Sequence, residues 1–176
     1  MTTSYRGSFR YTATMRLLSI DPGYDKTGYA IFDSSHPSQI TFIRSGIVKT
    51  TPKQSIDLRL KVITDVLREI IKKEKIDTMA MEQLFFFKNA KTVIGVAQAQ
   101  GAVIALAAEH GLAFHFLTPL QIKQIVTGSG AADKTSVWKM LKLQLGSQLS
   151  VTDDDESDAI ACGFAWCLTA NQPRNG

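Results

Sequence analysis

The stretch Leu17-Leu18-Ser19-Ile20-Asp21-Pro22-Gly23-Tyr24-Asp25-Lys26-Thr27-Gly28-Tyr29-Ala30-Ile31 decides the fold. An apolar run ends on Asp21, Pro22-Gly23 breaks the chain, and a second apolar run begins at Tyr29. The pattern predicts a buried strand, a tight turn and a return strand. A carboxylate delivered to a strand end beside such a turn suits a metal ion or a phosphate-facing role, or it caps its own turn. The positions of the other acids distinguish these readings.

Working outward, Ser34 to Gln39 reads as a polar turn and Ile40 to Val48 as a third strand, which together make an antiparallel meander. Thr51-Pro52 is expected to open a helix whose apolar stripe runs through Ile71, with Lys72, Lys73 and Lys75 at its C-terminal end, where the dipole favours cations. Ile76 to Met81 reads as a short strand ending on Glu82, followed by a polar and aromatic loop from Gln83 to Lys91. Next come a small-residue helix from Thr92 to His110, a last strand from Ala113 to Leu117, and a helix from Thr118-Pro119 to Val126. Gly128-Ser129-Gly130 breaks the chain before a basic helix that ends near Leu145. The final helix, from about Asp154 to Leu168, is apolar on most sides and so is expected to pack on the sheet. Three meander strands followed by βαβα predict an α/β fold. Its five-stranded mixed sheet has three meander strands plus two parallel ones, with helices on both faces.

A chain of 176 residues, 44% hydrophobic, suffices for one domain with a sizeable core but not for two. Residues 15–170 are expected to carry it, with 1–14 an extension or tag and 171–176 a tail. No apolar run approaches the ~18 residues that span a bilayer, so no membrane role is expected. Cys162 and Cys167 sit five apart on one helix and point to different faces, which suits small core residues of a reduced, cytoplasmic protein. The arginines and Ser/Thr before Met15, without acids, leave organellar targeting as a minor alternative. His36, His110 and His115 show no metal-ligand spacing. A net charge of +4 permits an anionic partner without requiring one.

Acids recur at element ends: Asp21, Glu82, and Asp155 with Asp158, which share one side of a first helical turn. Convergence of these groups needs compensating charge, and hard oxygen ligands suit Mg²⁺ or Mn²⁺. Two such ions about 4 Å apart serve phosphodiester hydrolysis. The helix dipole alone would also favour the run Asp153 to Glu156.

The ordered motifs Ile20-Asp21-Pro22-Gly23 with Thr27 to Ala30, Met81-Glu82-Gln83 with Phe85 and Lys88-Asn89-Ala90, Gln98 to Gly101, Gln121 to Lys134 and Asp155 to Ala161 resemble the RuvC Holliday-junction resolvases. The resemblance spans Arg16 to about Ala170. It implies an RNase H-like fold and a homodimer that cuts two strands of a four-way DNA junction with Mg²⁺, Mn²⁺ substituting, two ions per active site. A branch-migration helicase complex is a candidate partner. Carried over by position, Asp21, Glu82, Asp155 and Asp158 are the metal-binding catalytic acids, and Phe85 stacks on bases near the junction centre. Lys123 and Lys134 lie near the scissile phosphates. Phe86, Lys88, Asn89 and Lys91 join Phe85 as expected DNA contacts. The acid run leaves Asp154 open as a replacement for Asp155, and Phe86 and Phe87 leave the stacking residue open among three. The backbone amides of the Gly128–Gly130 loop are candidates to approach phosphate. The alternatives are a nucleotide-binding domain of the actin/sugar-kinase kind and a catalytically idle junction-binding module.

Overall fold

A computed structural model of the chain describes residues 14–36, 38–83, 90–146 and 149–170, the side chains of 90–92 apart. Five strands form one sheet: β1 (Met15–Asp21), β2 (Lys26–His36), β3 (Gln39–Lys49), β4 (Thr78–Glu82) and β5 (Ala113–Leu117). Their order across the sheet is β3-β2-β1-β4-β5. The β1–β2 and β2–β3 pairs are antiparallel and the β1–β4 and β4–β5 pairs parallel, which is the expected mixed sheet. Five helices complete the described residues: α1 (Ile56–Glu74), α2 (Ala90–Glu109), α3 (Pro119–Thr127), α4 (Lys134–Leu145) and α5 (Asp154–Ala170).

Side chains alternate across a strand, so each strand feeds two cores. Leu18, Ile20, Ile31, Met79 and Met81 bury against α1 and α2. Leu17, Ala30, Phe32 and Ala80 bury against α3, α4 and α5 on the other face. Every residue of α5 from Ala159 to Cys167 is buried, and both cysteines are free thiols in its core-facing surface. Among the described residues no helix is long and apolar enough to cross a membrane.

Two boundaries differ from the sequence reading. β2 continues to His36, because Ser34 pairs with Ile40 and His36 with Gln39, so the polar segment is mostly strand. α1 starts at Ile56, not at Thr51, because Ser55 is its extended N-cap and the preceding residues are tied elsewhere. Thr50 donates through its N–H to the Asp25 carbonyl (3.0 Å) and through its hydroxyl to that of Tyr24 (2.6 Å). Buried Arg59 then donates from Nε to the Thr50 hydroxyl (2.9 Å), pairs with Asp25, and places its guanidinium 4.5 Å from the Tyr24 ring centre. A helix of the second layer thereby pins the turn that follows Asp21.

Candidate active site

Strand parity aims the two strand-end acids. In β1, Leu17 and Ser19 face α5, and Asp21 follows them in the same phase; in β4, Glu82 follows Ala80 onto the same face. Ile20 pairs with Met81 across the parallel ladder, so the next residues along, Asp21 and Glu82, end adjacent strands side by side. α5 lies over that face: the Ser19 hydroxyl donates to the Ala159 carbonyl at 2.8 Å, which fixes the helix one turn past Asp155 and one residue past Asp158. Acids from three distant segments thus share one field.

The electrostatics record the crowding. Burial pushes the Asp21 carboxyl well above the usual carboxylate range, and the charges of Glu82, Asp158 and Asp155 push it further. Burial, then Asp158, raises Glu82 to about 7 against the relief of Lys134 and Lys123. Burial and then Asp153 raise Asp155. Lys134 supplies countercharge, donating from Nζ to Asp158 Oδ2 at 2.8 Å and lying 3.6 Å from Asp154 Oδ2. Burial opposes that ammonium, but its bond to Asp158 holds its pKa above the ordinary lysine value. Among the described residues no three of these acids close on one point tightly enough to cage an ion unaided. The donor set is nonetheless one of hard oxygens, partly desolvated and held against mutual repulsion, which fits a divalent cation of the Mg²⁺ class.

The acid run Asp153 to Glu156 sorts by contact. Asp153 accepts from Lys26 Nζ (2.8 Å) and from the Asp155 N–H (3.3 Å), while Glu156 accepts from the Ser45 hydroxyl (2.6 Å). Asp154 is 82% exposed, and Asp155 is the member whose charge acts on Asp21. A cavity of about 230 Å³ opens beside the acids between α3, α4 and α5, lined by Glu82, Asp158, Lys123, Lys134, Trp138 and Ile122 among others. Lys123 and Lys134, the two lysines expected near the scissile phosphates, therefore face the acids.

The expected DNA contacts Phe85, Phe86, Lys88 and Asn89, and Phe87 with them, lie outside the described residues; Lys91 falls in α2 with its side chain outside them as well. The amides of the Gly128–Gly130 loop are already engaged, which removes them as a phosphate cradle. Gly128 N–H donates to the Gln124 carbonyl, Ser129 N–H to the Thr127 hydroxyl and Gly130 N–H to Gln124 Oε1. Sequence reasoning missed the roles of Lys26, Gly28, Ser45 and Arg59. Gly28 stood in the Thr27 to Ala30 motif without an assigned role, and Arg59 left a signal as a cation inside the apolar stripe of α1.

Comparison with known proteins gives one consistent result. The family described as Crossover junction endodeoxyribonuclease RuvC matches residues 17–166. The protein of that name from Caldicellulosiruptor saccharolyticus is 38% identical over 157 residues, 89% of this chain and 95% of that one. Its counterpart from Thermosipho melanesiensis is 37% identical over 154 residues, covering 88% and 96%. Among solved structures, T. thermophilus RuvC in complex with Holliday junction substrate superimposes with a TM-score of 0.83 at 26% identity, over 89% of this chain and 94% of that one. The yeast mitochondrial Holliday junction resolvase Ydc2, 16% identical with a TM-score of 0.62 over 88% and 80%, shares the fold.

Proposed function

This chain belongs to the RuvC family of crossover junction endodeoxyribonucleases, and we propose from that premise that it resolves four-way (Holliday) DNA junctions as a homodimer, with Asp21, Glu82, Asp155 and Asp158 holding catalytic divalent ions. The observation that carries the reading is the meeting of Asp21 and Glu82, at the ends of adjacent parallel strands, with the first turn of α5. Mg²⁺, or Mn²⁺ in its place, two ions to a site, would supply the charge and Lewis acidity that activate a water and stabilise the leaving oxygen. The chain's own groups do the rest. Lys134 donates to Asp158 and, with Lys123, offers positive charge to an entering phosphate. Glu82 and Asp21, whose pKa values burial and the neighbouring acids raise, would be the groups whose charge a bound cation relieves.

Residues 15–170 form the nuclease domain in this reading. Phe85 or Phe86 stacks on exposed bases at the junction centre, and Lys88, Asn89 and Lys91 carry backbone contacts there; stacking of that kind is worth about 1–3 kcal/mol per base. The dimer rests on α2. Ile94, Ala97, Gln98, Gly101, Ile104 and Ala105 are all exposed on its outer side, a small and apolar seam that a second copy fits closely. A two-fold dimer matches a substrate with two equivalent strands. A cytoplasmic site of action belongs to the proposal on the two unpaired core cysteines, and a branch-migration helicase partner on the family resemblance.

The test is metal-dependent nicking of an end-labelled four-way junction beside a linear duplex of the same sequence. Paired, symmetric cuts in the junction alone are expected. Equal cutting of the duplex, or junction binding without cuts at any metal concentration, overturns the reading.

A further inference from the structure

α5 comes down on β2 at a position that has no side chain. Gly28 stands directly opposite Asp21 in the β1–β2 ladder. A Cβ on Gly28 would lie 1.9 Å from the Asp155 carbonyl oxygen and 2.4 Å from its carbonyl carbon. The obstacle is backbone, which cannot rotate aside as a side chain would. The need is for space and not for conformation, since Gly28 is not among the positive-φ residues. One residue therefore touches both ends of the problem, the strand that carries Asp21 and the peptide that carries Asp155. Two contacts flank it: Lys26 with Asp153, and Ser45 with Glu156.

We propose that Gly28, with the flanking Lys26–Asp153 and Ser45–Glu156 contacts, is a positioning seam that sets the separation of Asp21 from Asp155 and thereby the site's affinity for its divalent ion. The inference rests on the metal reading above. Any side chain at 28 must lift the first turn of α5, while metal–ligand distances tolerate only about 0.2 Å. The acids surplus to catalysis thus acquire a function: Asp153 and Glu156 dock the turn, and Asp155 and Asp158 are left to face the ion.

A core truncation on the opposite face of the sheet supplies the control. Ile71, near the C-terminal end of α1, is buried in the second core and touches neither α5 nor the acids, so Ile71→Val costs stability without moving the site. The experiment titrates Mn²⁺ alone into the full chain by calorimetry, for wild type, Gly28→Ala and Ile71→Val, with melting curves of each. Gly28→Ala is expected to weaken Mn²⁺ binding about tenfold or more. Junction cutting by this variant should recover at correspondingly higher Mn²⁺. Ile71→Val, though less stable than wild type, should bind Mn²⁺ within about twofold of it. Wild-type affinity in Gly28→Ala, or an equal loss in Ile71→Val, overturns the seam. Where Gly28→Ala does not fold, Lys26→Gln and Ser45→Ala remove the flanking contacts without overpacking; each should weaken Mn²⁺ several-fold, and no change in either overturns it. A wild-type protein that takes up no Mn²⁺ defeats the metal reading itself, a separable result.

Discussion

Asp21→Asn abolishes junction cutting, by at least about a thousandfold, while junction binding stays near wild type and the metal-free protein becomes more stable. The loss of rate follows from the position of Asp21, which is the most crowded of the four acids and feels all three of the others. The gain in stability follows from the same crowding. An acid whose pKa is raised by folding holds a proton that the unfolded chain has already released, so stability declines as pH rises through the interval between the two values. For Glu82 that interval runs from 4.5 to about 7, and Asp21 shifts in the same direction. Metal-free wild type should therefore melt at progressively lower temperature as pH climbs across this range. Asp21→Asn should blunt the decline, because the amide cannot ionise and one source of repulsion on Glu82 is gone. At pH 8 the variant should melt higher by roughly 2–10 °C, at about 2–4 °C per kcal/mol for a chain of this size. Melting curves against pH, with Mg²⁺ chelated, check this. Cutting at the wild-type rate by Asp21→Asn contradicts the assignment of the acids, and a flat pH response contradicts their crowding.

On the proposed α2 dimer, Gly101→Glu is expected to give a monomer and to uncouple the two cuts. Gly101 is exposed on the outer seam of α2, and a Cβ added there meets nothing within 4 Å inside one protomer. Replacing a helical glycine also favours the helix, so the single chain has every reason to keep its fold. Across a close two-fold contact the same change buries an unpaired charge, costing about 3–5 kcal/mol, or roughly a hundredfold to several thousandfold in dimer Kd. Light scattering should give the monomer mass, and a cruciform plasmid should accumulate nicked circles in place of linear product. A dimer of wild-type stability with paired cutting intact would move the interface off α2.

The sheet was legible because its signals are local. The apolar run ending on Asp21, the break at Pro22-Gly23 and the acid after Ile76 to Met81 each need only a few residues to read, and strand parity then carries Asp21 and Glu82 to one face. The arrival of α5 over that face was legible only as an apolar helix with acids at its start. What sorts Asp153, Asp154, Asp155 and Glu156 is contact with Lys26, Gly28 and Ser45, residues more than a hundred positions away, and no spacing rule encodes that. The start of α1 was misplaced for a related reason. Thr51-Pro52 has the chemistry of a helix start, but Thr50 is bound to the turn after Asp21, and the helix waits for Ser55. In the Gly128–Gly130 loop, composition suggested free amides, and Gln124 and Thr127 had already taken them.

The central claim is that carboxylates from β1, β4 and α5 hold one divalent-ion site. Anomalous diffraction at the manganese edge, from crystals of this protein grown with Mn²⁺, tests it most directly. The account predicts a peak within coordination distance of the Asp21 carboxylate and shared with Glu82, Asp155 or Asp158. A peak elsewhere on the chain, with none touching Asp21 at saturating Mn²⁺, would contradict it.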